Sequence, residues 1–181
     1  ATIQAFEEKT LRDFRSIKGW CPPRVDSVLD IGCGLGSVNI LIARHFCPIS
    51  INVIDGDGTE NKRTSFHENT KPWMDRRITR DFIRANVSHF CDVCDHPPDP
   101  SLTIESDLII SLKSWGHHYP VGMYLGLVQR SLRPGGRIVM DIRKGRGDGL
   151  RAMQDGGFRY LDTTYETPKC TRMVFCRNTG E

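Results

Sequence analysis

No window of the 181-residue chain approaches the run of about eighteen apolar residues that a membrane-spanning helix needs. The opening ATIQAFEEKTLRDF mixes charged and apolar residues and lacks the apolar core of a secretory signal. Both absences lead us to expect a cytoplasmic protein with no membrane partner. The chain opens on Ala1 rather than Met, which points to processing or trimming ahead of it. Internal repeats, low-complexity tracts and dividing linkers are also missing, so a single domain over 1–181 is expected. The net charge is only +3, too small to indicate a nucleic-acid substrate from bulk electrostatics. The seven cysteines are odd in number and scattered through apolar stretches, so reduced thiols are expected. Cys91-Asp-Val-Cys94, with His96 nearby, lacks a second pair at zinc-like spacing, and no metal site is expected.

What is present is the composition of an ordinary globular protein, 38% hydrophobic and 26% charged, long enough for one sizeable core. Short apolar runs alternate with segments of helical period, the signature of an α/β fold. A first helix is expected over about 3–17, with Ile3, Phe6, Leu11, Phe14 and Ile17 at helical spacing. Strands are expected near 26–31, 50–55, 87–93, 107–112 and 137–142, with helices over 37–46, 119–132 and 148–155. Phe158 to Tyr165 and Arg172 to Arg177 read as a closing β-hairpin. The connection after Gly56 is longer than a crossover helix needs, and 56–86 is expected to contribute a substrate lid.

The most informative stretch is VLDIGCGLG, Val28 to Gly36, an apolar strand that runs into Gly32, Gly34 and Gly36. Glycines there let the backbone turn tightly and approach a ligand closely. The spacing differs from that of a dinucleotide loop, whose third small residue would fall at Ser37. Asp30 sharpens the distinction, because a carboxylate beside the loop repels a pyrophosphate but attracts a ligand carrying ammonium and sulfonium charges. A second apolar strand, ISINVID, ends in Asp55, 23 residues past Gly32. Nucleotide-binding α/β folds place an acid there to accept hydrogen bonds from ribose hydroxyls.

Together with SDLIISLKSWGHHYP (Ser106 to Pro120) and LRPGGRIVMDIR (Leu132 to Arg143), these segments resemble the class I S-adenosylmethionine (SAM)-dependent methyltransferases. In the last segment Pro134 cannot continue a helix, and Gly135 and Gly136 are expected to supply positive φ angles. The resemblance implies a Rossmann-like, doubly wound α/β fold. Its seven-stranded sheet would be mostly parallel, with one antiparallel strand near an edge and helices on both faces. It also implies SAM as cofactor and S-adenosylhomocysteine (SAH) as product. The implied cofactor residues are Asp30, Gly32, Cys33, Gly34 and Gly36 of the loop, then Asp55 and Gly56. Ser111 at the end of the fourth strand, and Asp95 or Asp92 toward adenine, complete the set. Cys33 is expected to pack near the cofactor without a nucleophilic role.

Methyl transfer is a direct displacement at carbon, so positioning supplies much of the acceleration. An oxygen nucleophile also needs to lose a proton. The segment from Lys113 to Tyr119 offers His118 or His117 as general base, Lys113 for an anionic group and Trp115 as a wall. Of the two histidines, His118 is the expected base. The Asn-Pro-Pro-aromatic motif of amino-methylating enzymes is absent, since Ser111-Leu-Lys-Ser114 stands in its place. The fourth strand also lacks the terminal aspartate of the Lys-Asp-Lys-Glu RNA ribose methyltransferases. The expected acceptor is therefore an oxygen of a sugar or another hydroxylated small molecule. The alternatives are a SAM-binding, non-catalytic partner subunit and a methyltransferase acting on RNA or protein. Arg76, Arg77, Arg80 and Arg84 cluster, and Arg143, Lys144 and Arg146 follow the fifth strand. Such runs suit either an anionic partner such as nucleic acid or a solvated face. The pocket is expected to be closed by the first helix and 56–86, or by another chain in a homodimer or partner complex.

Overall fold

The computed structural model describes residues 2–56, 75–88 and 90–178. In chain order its elements are α1 (Thr2–Lys18), β1 (Ser27–Ile31), α2 (Ser37–Phe46), β2 (Ser50–Ile54), α3 (Arg76–Arg84), β3 (Asp92–His96), β4 (Ser106–Ser111), α4 (Gly122–Ser131), β5 (Leu132–Arg143), α5 (Gly149–Asp155), β6 (Phe158–Glu166) and β7 (Cys170–Arg177). The seven strands form one sheet in the order β3-β2-β1-β4-β5-β7-β6. β1 to β5 run parallel, and β7 lies antiparallel between β5 and β6.

The strand sequences explain the layering. Every residue of β1 is buried, as a central parallel strand covered on both faces requires. The period of two along β4 splits its side chains between two cores. Leu108 and Ile110 join Ile17, Ile42, Ile51 and Ile83 on one face. Ile109 joins Trp115, Leu127, Met153 and Phe175 on the other. The strand order reverses direction between β1 and β4, which opens a crevice beyond their carboxyl ends.

Three sequence expectations need correction. The third strand starts at Asp92 rather than Val87, because Asp92 N–H donates to the Ile49 carbonyl at 2.8 Å and pairs with Ser50. As an edge strand β3 buries only Val93 fully, so the apolar residues before it misled; Phe90 is 82% exposed. The fourth helix begins at Gly122 rather than Tyr119, whose carbonyl accepts from Gly116 N–H at 2.8 Å in the preceding loop. Finally, Leu132 to Gly136 already belong to β5, and only Gly135 has positive φ (+79°). Gly136 is needed for space instead, since a Cβ there would stand 2.9 Å from the Asp107 carbonyl oxygen.

The lid expected over 56–86 falls largely on 57–74, outside the described residues. The described remainder, α3, buries Thr79 and Ile83 beneath the glycine loop and packs on β3. Its arginines are paired: Arg76 and Arg80 with Asp95 at 3.1 and 2.7 Å, and Arg77 with Asp75 at 2.6 Å. No helix among the described residues is long and apolar enough to cross a membrane.

One buried ionic cluster ties α1 to the sheet. Arg172 on β7 is fully buried and donates two hydrogen bonds to Asp141 on β5, at 2.7 and 2.9 Å. Its remaining nitrogen donates to Asp13 (3.0 Å) and Ser16 (2.8 Å) on α1. Burial pushes the Asp13 carboxyl up, but Lys9 and Arg172 outweigh it and hold its pKa below the ordinary value. Removing one member leaves uncompensated buried charge, which costs about 3–5 kcal/mol. We expect Arg172→Met to lower urea-unfolding stability by about that amount and to make α1 the first site of limited proteolysis. A loss under about 1 kcal/mol would show that the cluster is dispensable.

Candidate functional site

The loop after β1 turns on glycines in the left-handed region: Gly32 at φ +73°, Gly34 at +55° and Gly36 at +70°. The first and third are also sterically required. A Cβ on Gly32 would lie 1.7 Å from Ser114 Oγ, so the loops after β1 and β4 touch at this point. A Cβ on Gly36 would meet Ile83 at 2.7 Å. A Cβ on Gly34 would meet nothing within 4 Å among the described residues and would face open space. α2 then begins at Ser37 without a side-chain cap, and Asn39 N–H donates to the Gly36 carbonyl at 3.0 Å.

A cavity of about 630 Å³ lies over this loop. Asp30, Gly32, Cys33, Gly34, Gly36 and Asp55 all line it, as do Lys113 and His118. A neighbouring cavity of about 210 Å³, walled by Ile54, Gly56, Pro98, Met123 and Tyr124, shares Gly32, Asp55, Ser114 and Tyr119 with the first. Asp55 therefore stands at the junction of the two. Its carboxylate accepts from Gly34 N–H (3.0 Å) and Gly56 N–H (2.9 Å), which fixes its direction. Burial raises its pKa, against the lowering effect of those amides.

Asp30 is deeper. Burial pushes its pKa up to about 7, opposed by a 2.7 Å hydrogen bond from Asn39 Nδ2 and reinforced by the Asp55 charge. The cavity thus holds an acid poised to ionise. Burial also raises the Cys33 thiol well above its usual range, and its Sγ donates weakly to Asp55 at 3.8 Å, so no thiolate chemistry is favoured.

The β4 loop carries the candidate base. His117 and His118 N–H groups donate to the Ser114 carbonyl at 3.0 and 2.7 Å, and their rings meet edge to face at 4.7 Å. His118 lines the cavity; His117, 8% exposed, does not. Burial and then the Arg143 charge lower the His118 pKa. Burial first, then His118 and Arg143, take His117 down to about 4. Both imidazoles are therefore neutral at pH 7, and both Nδ1 atoms lack a hydrogen-bond partner among the described residues. Lys113 adopts φ +60°, an uncommon conformation for a residue with a side chain.

Two of the implied cofactor residues lie outside the cavity linings. Ser111 Oγ donates to the Ile31 carbonyl (2.7 Å) and accepts from Trp115 N–H (2.9 Å), bracing β4 against β1. Asp95 is occupied by Arg76 and Arg80. Trp115 is a core residue whose Nε1 donates to the Val121 carbonyl at 2.8 Å. Phe6, Lys9 and Asp13 of α1 form a wall that the motifs did not signal. Thr10 and Ser37 hydroxyls, 3.1 Å apart, hold that wall to the start of α2. Among the described residues, no group of three or more His, Cys, Asp or Glu could hold a metal ion.

No protein-family model matches the chain, and no curated protein matches its sequence. Solved structures share its architecture. A TehB-like SAM-dependent methyltransferase from Corynebacterium glutamicum superposes with a TM-score of 0.59 at 18% identity, covering 92% of this chain and 88% of that one. Magnesium protoporphyrin IX methyltransferase from Synechocystis, solved with bound SAH, gives 0.62 at 16% identity over 96% and 84%. A Haloferax volcanii putative methyltransferase, in complex with the Trm112 methyltransferase activator, gives 0.67 at 13% over 96% and 92%. The chain has the α/β methyltransferase-like fold.

The Asp30 environment yields a pH prediction. Between its ordinary value of 3.8 and about 7 the folded chain holds a proton that the unfolded chain has released, so this group makes stability fall as pH rises through that window. Asp30→Asn keeps an acceptor for Asn39 and abolishes the slope. In ligand-free urea unfolding the variant should be the more stable at about pH 8 and should approach wild type near pH 4. Parallel curves across the range would show that Asp30 is not buried as a neutral acid.

Proposed function

We propose that this chain is a SAM-dependent methyltransferase that methylates an oxygen of a hydroxylated small molecule. The observation that carries this reading is Asp55, held by two loop amides at the junction of two cavities beside an intact glycine loop. A carboxylate so placed is suited to a ribose diol. Gly34 leaves room for close backbone approach, and Asp30 offers a charge to a cationic ligand. A cation in the cavity would draw the proton from Asp30 and stabilise its ionised form. Bound SAM supplies an electrophilic methyl group.

The chain's own part is positioning and proton handling. His118, neutral and cavity-lining, would accept the acceptor hydroxyl's proton, while the Ser114 carbonyl holds its backbone in place. The lowered pKa keeps the base unprotonated but weak. The pairing of Arg76, Arg77 and Arg80 with acidic partners favours a small acceptor over a nucleic-acid backbone.

Calorimetric titration with SAM, SAH and NAD should show binding of the first two only. Asp55→Ala should weaken that binding by about 10- to 100-fold, the value of hydrogen bonds to a charged group. Preference for NAD would overturn the cofactor reading, and binding without turnover on any hydroxylated acceptor would favour a non-catalytic partner subunit. With an acceptor in hand, His118→Gln should cut turnover by about 10²-fold or more. Near-wild-type turnover from pH 6 to 9 would remove His118 as the base.

A further inference from the structure

Two serine hydroxyls near the glycine loop are committed to the protein. Ser37 Oγ lies 3.1 Å from the Thr10 hydroxyl, and Ser111 Oγ bridges the Ile31 carbonyl and the Trp115 N–H. The Ser114 hydroxyl, by contrast, has no hydrogen-bond partner among the described residues, although the residue is only 8% exposed. Its place is fixed from both sides. The Ser114 carbonyl accepts from the His117, His118 and Tyr119 N–H groups at 3.0, 2.7 and 3.3 Å. Its Oγ occupies the space that a side chain on Gly32 would take, 1.7 Å from a Cβ there. Gly32 N–H in turn donates to the carbonyl of Ile54, the residue before Asp55, at 2.7 Å. Lys113, with φ +60°, turns the chain just ahead of Ser114, a strained backbone of the kind retained around ligands.

A largely buried hydroxyl that no protein group satisfies is available to a ligand. Ser114 lines both cavities, as do Gly32 and Asp55, so a ligand that spans the two meets it at their junction. The covalent structure of SAM decides which part of the ligand that is. Its sulfur is bonded to the ribose C5′, to the amino-acid chain and to the methyl group. With the ribose at Asp55 and the amino-acid end along the glycine loop toward Asp30, the sulfonium falls over Gly32, against Ser114. We propose that Ser114 reads the sulfonium: its hydroxyl oxygen faces the sulfur and the methyl group to be transferred, and so distinguishes SAM from SAH. This inference deepens the methyltransferase reading and rests on it for the placement of the ligand.

A sulfonium carries a positive charge and polarises the C–H bonds of its methyl group, and an oxygen lone pair out of bulk water stabilises both. SAH has neither the charge nor the methyl group, so it gains little from the same oxygen. Transfer breaks the sulfur–methyl bond and leaves its electron pair on sulfur, which becomes neutral. A carboxylate at this point would hold the charged reactant strongly against that change. A neutral hydroxyl orients the methyl group at a smaller ground-state cost, and its contact is lost as the charge is lost, which favours release of SAH.

The test is calorimetric titration of SAM and of SAH into the wild-type chain and into Ser114→Ala, joined to proton NMR of bound SAM labelled with carbon-13 in its methyl group. We expect Ser114→Ala to weaken SAM binding about two- to fivefold while SAH affinity stays in place, so the preference for SAM falls by the same factor. The methyl proton resonance of SAM should move downfield on binding to the wild-type chain, a readout that needs no variant, and should return toward its free position in Ser114→Ala. Equal losses of SAM and SAH affinity would assign the hydroxyl to the ribose or the amino-acid end and overturn the proposal. Unchanged affinities with an unshifted methyl resonance would overturn it as well. Those results leave the cofactor reading standing, whereas a folded wild-type chain that bound neither SAM nor SAH would overturn both.

Discussion

The Arg172 guanidinium, sealed between Asp141 of β5 and Asp13 of α1, is the interaction on which the site's architecture depends. α1 precedes the first strand and buries Thr10, Asp13 and Ile17, while Ile3, Phe6 and Leu11 stay exposed. Hydrophobic burial therefore fixes that it packs, while the charge cluster fixes where. A buried charge tolerates little displacement from its partners, whereas an apolar contact can slide. Because Lys9 and Asp13 lie on the same turns that meet Arg172, the latch also sets one wall of the cavity. Tyr165 adds a ring 5.3 Å from the same guanidinium. Distant β7 thus decides the shape of a pocket built on β1 and β4.

A second constraint acts at the crevice floor. The absence of a side chain at Gly32 admits Ser114, and Ser111 ties β4 to the last residue of β1. These contacts hold the glycine loop and the histidine loop in one rigid relation. Around them the electrostatics are uneven. Burial raises Asp30 and Asp55 and lowers His118, so the cavity carries less charge than its residue types suggest. Groups kept near neutrality by burial respond strongly to a charged ligand.

The sheet was largely legible because its signals are local. β1, β2 and β4 are apolar runs of strand length, α2 spans the expected 37–46, and the Gly34-to-Asp55 contact follows from two motifs whose spacing was visible. β3 was misplaced because an edge strand needs fewer apolar residues, and Phe90 lies in the approach rather than in the strand. Gly136 showed the same limit at a single residue: glycine was read as a turn former, but the requirement was room beside the Asp107 carbonyl. The arginines of α3 looked available in sequence, and Asp95, about one helix and one strand away, engages two of them.

By itself the sequence determined the α/β alternation, the glycine loop and the acid after β2, since each is written in periodicity or in turn chemistry over a few residues. Only the tertiary structure decided which charged and polar groups pair with one another and which acids burial keeps near neutrality. Those properties depend on partners up to 159 residues apart, as in Asp13 and Arg172, and no local pattern records such a pairing.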